Sequence, residues 1–207
     1  AATIEWEPVE PVNAWRFGLA TATGMAIPDR LMQEAAPQLR AWHARAPMIA
    51  PQQRLGSARI AAGLGVFSSQ ALIDVYSAIY DATDPNELSG TDAWQLRLAF
   101  VGDDVDARLA AMRRLWGGQE RPQERQAHFP LLARAAALVP VSADHEADAP
   151  NLIASMLAGG LDRHAARWVL ALSRMDEVYA DPSWALLALS APNTRGIGLE
   201  AAGVKLG

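Results

Sequence analysis

Apolar residues along this chain recur three and four positions apart, the interval that lines one face of an α-helix. After Pro11, the residues Trp15, Leu19, Ala22 and Ala26 keep that interval and predict a helix over 12–25. In "IPDRLMQEAAPQLRAWHARAP" the stripe is Leu31, Ala35, Leu39 and Trp42, with Pro28 placed where a first helical turn accepts it. Pro37 interrupts this stripe and either kinks or splits the helix, because proline removes a bond to the preceding turn.

The pattern continues from Pro51, where "PQQRLGSARIAAGLG" predicts a helix ending at Gly63 or Gly65. The next helix has Ser68 as its cap and Leu72, Val75, Tyr76 and Ile79 inward, so the two should pair as an antiparallel hairpin. A helix around 90–101 precedes the clearest one, in which Val105, Leu109, Met112 and Trp116 share a face and a double glycine ends the run. "RPQERQAHFPLLARAAALVP" reads as one helix with a possible break at Pro130. Beyond Pro150 the pattern resumes with "NLIASMLAGG", "DRHAARWVLALSR" and a short "PSWALLALSAP".

These elements divide the chain into an extended, acidic, proline-rich arm at 1–11, a helical region at 12–140, a polar loop at 141–150, a second helical region at 151–192 and an irregular tail at 193–207. The predicted fold is all-α: antiparallel helical hairpins stacked as a short α-solenoid, or an irregular multi-helix bundle. "RIAAGLGVFSSQALIDVY" and "MLAGGLDRHAARWVLAL" share the order apolar helix, Gly-Leu corner, polar turn and amphipathic helix. No equivalent corner lies between them, so a fixed repeat is not established.

Composition strengthens the helical reading. There are 42 Ala and 24 Leu against 25 Val, Ile and Thr together, a balance that suits helices and not sheets. A single lysine, Lys205, against 17 arginines suggests a GC-rich bacterial genome. The absence of cysteine excludes disulfides, thiol nucleophiles and thiolate metal sites, while leaving open cytoplasm or periplasm. A first residue of alanine fits either a removed leader or a piece of a longer protein. The net charge of −5 argues against a partner bound through its phosphate backbone, and no apolar run approaches the length of a membrane span.

The polar clusters of the sequence each have a structural role beside their candidate chemistry. "LDRHAARW" gathers Asp162, Arg163, His164 and Arg167, but no nucleophile lies nearby, so Asp162 is expected to cap a helix and Ala165, Trp168, Val169 and Leu172 to form its buried face. Asp103, Asp104 and Asp106 are acids expected at a helix start. Asp144, His145, Glu146 and Asp148 are metal-ligand types without a ligand spacing. "GIGLEAAGVK" lacks the spacing of a phosphate loop. A helix-turn-helix reader is disfavoured because the helix after the first corner carries Asp74 and Asp81 and no cation.

Catalytic, cofactor-binding and metal-binding residues are therefore expected to be none. Of the tryptophans, Trp15, Trp42, Trp116 and Trp168 fall on apolar stripes and are expected to be buried. Trp6, in the arm, has no such stripe and is the expected anchor if the arm docks onto this chain or a partner. The leading expectation is a non-catalytic helical scaffold or adaptor whose partner is another protein, with Trp6, Arg163, Arg167 and Arg174 as its contacts. The rivals are the helical substrate-binding portion of a larger, exported enzyme and a small-molecule binder with a pocket between helices.

Overall fold

The computed structural model describes residues 14–25, 27–118 and 125–190. Among them all regular structure is helical and no strand occurs, so the chain is all-α. None of these helices is long and apolar enough to cross a membrane. Contacts group the chain into two compact units, Ala1–Trp94 with Gln119–Ala127, and Gln95–Gly118 with His128–Gly207. Trp6, the arm and the tail with its glycine-rich stretch lie outside the described residues.

In the first unit α1 is Ala14–Thr23, α2 Asp29–Glu34, α3 Pro37–Arg45, α4 Pro51–Gly63 and α5 Ser69–Ala82. Pro37 splits the second predicted helix. Ala35 and Ala36 are extended, as residues leading into a proline prefer, and Pro37 then opens α3, where its missing N–H is no loss. Alanine caps α3 and α4 without a side-chain bond, whereas the Ser68 oxygen accepts from the Ala71 N–H at 3.2 Å and fixes the start of α5. Consecutive helices α3, α4 and α5 pack in pairs, and α1 lies on α3. Phe17, Ala20, Ile27, Leu31 and Ala35 form one buried cluster. Leu72, Val75, Tyr76 and Ile79 are buried on α5 as their spacing predicts.

Between α4 and α5, Arg59 is buried with its Nε donating to Tyr76 Oη at 2.8 Å and its guanidinium 5.6 Å from the tyrosine ring centroid. It also pairs with Asp92, which opens α6, Asp92–Val101. A buried guanidinium needs such partners, since an uncompensated charge away from water costs several kcal/mol.

The second unit contains α7, Val105–Trp116; α8, His128–Ala137; α9, Ala149–Ala158; and α12, Glu177–Ser190, with the short turns α10, Asp162–Ala165, and α11, Val169–Leu172, between the last two. Asp104 caps α7 by accepting from the Ala107 N–H at 2.7 Å. Leu109, Met112 and Trp116 are buried, and Trp116 donates to Ser155 Oγ at 3.0 Å. Pro130 lies in the first turn of α8 and does not break it. The polar stretch after Pro140 holds a 3-10 helix at Ala143–Asp148, and Asp148, itself buried, takes a forked bond from Arg113 at 2.7 and 2.5 Å.

Three helices end alike. Gly24, Gly65 and Gly160 have φ of 68°, 72° and 72°, and in each case the next N–H reaches back to the carbonyl five residues earlier: Met25 to Ala20 at 2.9 Å, Val66 to Ala61 at 2.9 Å, Leu161 to Met156 at 2.8 Å. This is the Schellman closure, which demands a left-handed residue that glycine supplies without strain. The Gly-Leu similarity therefore has a cause, although the register differs: the left-handed glycine follows Leu64 at one corner and precedes Leu161 at the other.

Two expectations fail after the second corner. Asp162 is not the cap; Leu161 holds that position and no side chain caps the turn. Nor is 162–174 one helix. It breaks into α10, a 3-10 turn at Ala166–Trp168 and α11, while Ala165, Trp168 and Leu172 are buried all the same and Val169 is half-buried. Burial at the right intervals does not require unbroken α-helical bonding, because a tighter turn changes the register only slightly.

Candidate contact face on the first unit

The sequence places Trp15 and Trp42 in apolar stripes, and burial was the expected result. Instead Trp15 is 87% exposed, Trp42 50% and Leu19 54%. The reason lies in α1 itself. Its sequence "AWRFGLATAT" contains one charged residue, Arg16, and is apolar on two faces. Phe17, Ala20 and Thr21 take the buried face. Trp15, Leu19 and Ala22, one helical step away, are left to form the floor of an open groove.

That groove has a volume of about 480 Å³ and is lined by Ala14, Trp15, Gly18, Leu19 and Ala22 of α1 and Trp42 of α3. Gly18 sets its depth. A Cβ there would stand 2.7 Å from Trp42 Cη2, so only glycine lets the indole lie down against the helix backbone. Phe17 supports the same indole from below, with ring centroids 6.5 Å apart and planes tilted by 47°. Met48, 67% exposed, flanks the Gly24 corner, where its carbonyl would lie 2.8 Å from a Cβ.

His43 follows Trp42 in α3, but its ring points inward and sits 5.9 Å from that of Phe17. It is buried, and its Nδ1 has no hydrogen-bond partner. Burial, with a smaller contribution from the positive charge of Arg54, pushes its pKa down to about 4. At neutral pH the imidazole is therefore uncharged, and the described side chains that line the groove carry no charge. Such a surface can hold apolar side chains.

Arg163, Arg167 and Arg174 are all exposed in the second unit, on or beside α10 and α11. His164 beside them is exposed too. Asp104, Asp144, Glu146 and Asp148 are engaged in capping, turn and ion-pair contacts, with Glu146 accepting from the Asp176 N–H at 3.1 Å. Among the described residues no group of three or more His, Asp or Glu converges to hold a metal ion. A second cavity in the first unit, about 200 Å³, is lined by Arg40, Pro37, Ile60, Leu64 and their neighbours; Arg40 is buried there and donates Nε to the Ala35 carbonyl at 2.8 Å.

Comparison with family models, with curated proteins and with solved structures finds no match to this chain.

Proposed function

We propose that the chain is a helical scaffold or adaptor module, without chemistry of its own, that binds another protein through the α1–α3 groove. The observation that carries this reading is the pair of exposed indoles, Trp15 and Trp42, set in a groove lined wholly by apolar residues and glycine. Single exposed apolar residues need no explanation, but a contiguous patch on a helical surface is characteristic of contact sites.

The magnitudes fit a modest, reversible contact. Covering both indoles and Leu19 removes on the order of 300 Å² of apolar area, given 150–250 Å² for a whole aromatic side chain. At about 25 cal/mol per Å² this contributes roughly 7 kcal/mol. Association itself costs about 4–15 kcal/mol, so a partner must add rim contacts around the groove to bind tightly. Arg163, Arg167 and Arg174 are proposed as separate charged contacts on the second unit, suited to an acidic partner surface.

The small-molecule reading is weaker here, because such sites orient their ligands with a few placed polar side chains, and the groove's lining offers none. The test is affinity capture from the encoding organism with wild-type chain and with Leu19→Glu. A defined partner lost with Leu19→Glu, at unchanged circular dichroism, supports the reading; equal recovery with both chains removes it.

A further inference from the structure

The groove is a seam between α1 and α3, and the groups under that seam determine how firmly it is held. Both α1 and α4 pack on α3. From α1, Phe17, Ala20 and Thr21 are buried, and the Phe17 ring meets both Trp42 and His43. From α4, Arg54 donates its Nη1 to the Ala44 carbonyl at 3.3 Å and so lies against the turn of α3 that holds His43. Three buried polar atoms of these helices, Thr21 Oγ1, His43 Nδ1 and Arg54 Nε, have no hydrogen-bond partner among the described residues. Apolar packing closes the seam while these groups go without water.

The charges on the three helices are all of one sign, for none of them contains an Asp or Glu. Arg54 faces His43 and acts on it electrostatically. The one charge of α1, Arg16, is exposed. On α3 itself Arg40 donates to the Ala35 carbonyl, and Arg45 lies 5.6 Å from the centroid of the Phe67 ring. The other arginine of α4, Arg59, is paired with Asp92. A proton on His43 is therefore buried beside a cation, with no carboxylate on α1, α3 or α4 to offset it.

We propose that the groove is acid-labile: when His43 takes a proton from water, α1 leaves α3, and the groove is lost with the helix that supplies its floor. The inference rests on the preceding reading of the groove as a contact surface and adds its regulation, since acid then releases the partner. The helix is suited to leave. It has ten residues, and a helix this short does not persist in water without support, so release also melts it.

Release hydrates the imidazole. With α1 in place the His43 pKa is pushed down to about 4, chiefly by burial and further by Arg54; released, it returns to the ordinary 6.5. The released form therefore binds the proton first as pH falls. Attachment of α1 is whole above pH 6.5 and weakens progressively between 6.5 and 4. At about pH 5 the ratio of released to attached α1 is about 30-fold its neutral value.

The test is hydrogen–deuterium exchange of the full chain, read by mass spectrometry at neutral and acid pH and corrected for the intrinsic exchange rate at each. Between about pH 7.5 and about pH 5, protection of the α1 amides should fall about 30-fold, while amides of α4, α8 and α9 keep theirs. His43→Leu should abolish the fall. Arg54→Gln, which leaves the imidazole in place, should make it smaller, because the repelling charge is gone. Unchanged α1 protection, or an equal fall in His43→Leu, overturns the proposal. A joint fall of α1 and α4 also overturns it, because the whole unit then unfolds, as does a His43 ring that titrates near 6.5 by NMR with α1 still protected. Partner capture lost with Leu19→Glu but no acid release of α1 removes only the acid release; acid release with equal capture removes only the adaptor reading.

Discussion

Gly18 in the first unit and Gly159 in the second each mark a place where two helices come closer than any side chain would permit, with opposite results. At Gly159, which closes α9, a Cβ would lie 2.2 Å from the Ala133 methyl of α8, and the residues around it, Ala133, Ser155 and Met156, are at most 1% exposed. At Gly18 the neighbour is an aromatic ring that stays half exposed. Close packing in the α8–α9 pair completes a core, as the buried row Leu131, Leu132, Leu152 and Ile153 shows. In the α1–α3 pair it positions a surface. The same device serves stability in one unit and, on the proposed reading, recognition in the other.

The contrast is sharpest in substitutions. Gly159→Ala should have the largest effect, about 2–3 kcal/mol lost in urea unfolding, because the clash is with a short methyl on a helix that cannot swing aside. An unfolding midpoint like that of wild type would mean the α8–α9 approach is looser than described.

Next is the acid response of the first unit. The folded state holds the His43 pKa at about 4, below the ordinary value of 6.5, so the unfolded chain binds the extra proton first as pH falls. The His43 contribution is whole above pH 6.5 and is lost progressively as pH drops from 6.5 toward 4. That loss is on the order of 2 kcal/mol by pH 5. Stability measured against pH for wild type and His43→Leu should give curves that separate in this window, with wild type falling more steeply; parallel curves would show that the buried imidazole is not the titrating group.

Gly18→Val tests the other side of the comparison. It should push the Trp42 ring off α1 while lowering stability by less than about 1 kcal/mol, since the ring tip can move into solvent. Intrinsic fluorescence should shift to the red and partner capture should fall. The smallest effects separate the two helix corners. Ser68→Ala should cost about 1 kcal/mol through loss of its cap, whereas Asp162→Ala should change stability by no more than about 0.5 kcal/mol, because Asp162 caps nothing.

Much of the helical framework was legible in the sequence for local reasons. Ser68 announced a cap, the aspartates at 103, 104 and 106 a helix start, Pro37 and Pro51 helix openings, and the glycines at 63 or 65 and at 159–160 helix ends, each acting through bonds within one turn of the chain. Apolar spacing likewise located the inward faces of α5 and α7. The break after Ala165 was not visible, since Ala165, Trp168 and Leu172 keep helical intervals whether the turn between them is α or 3-10.

The groove was missed for a different reason. Periodicity tells which residues share a face but not whether anything covers that face. Trp15 and Leu19 form as regular a stripe as Val75 and Ile79, yet only the latter pair is buried. One signal was present: α1 has a single charge in ten residues and thus two apolar faces, more than one neighbour can bury. Trp42 had no such signal, because its seat against α1 depends on the absence of a side chain at Gly18, far away in sequence.

The central claim, that the α1–α3 groove is a contact surface and not merely an uncovered stripe, is tested most directly by a photo-crosslinking amino acid placed in living cells of the encoding organism. Leu19 in the groove is compared with Leu189 on α12 of the second unit, an exposed leucine at 89%. The account predicts a discrete intermolecular adduct from position 19, abolished by Trp42→Ala, and only background from position 189. Equal adduct yields at the two positions, or an adduct from position 19 that survives Trp42→Ala, would contradict it.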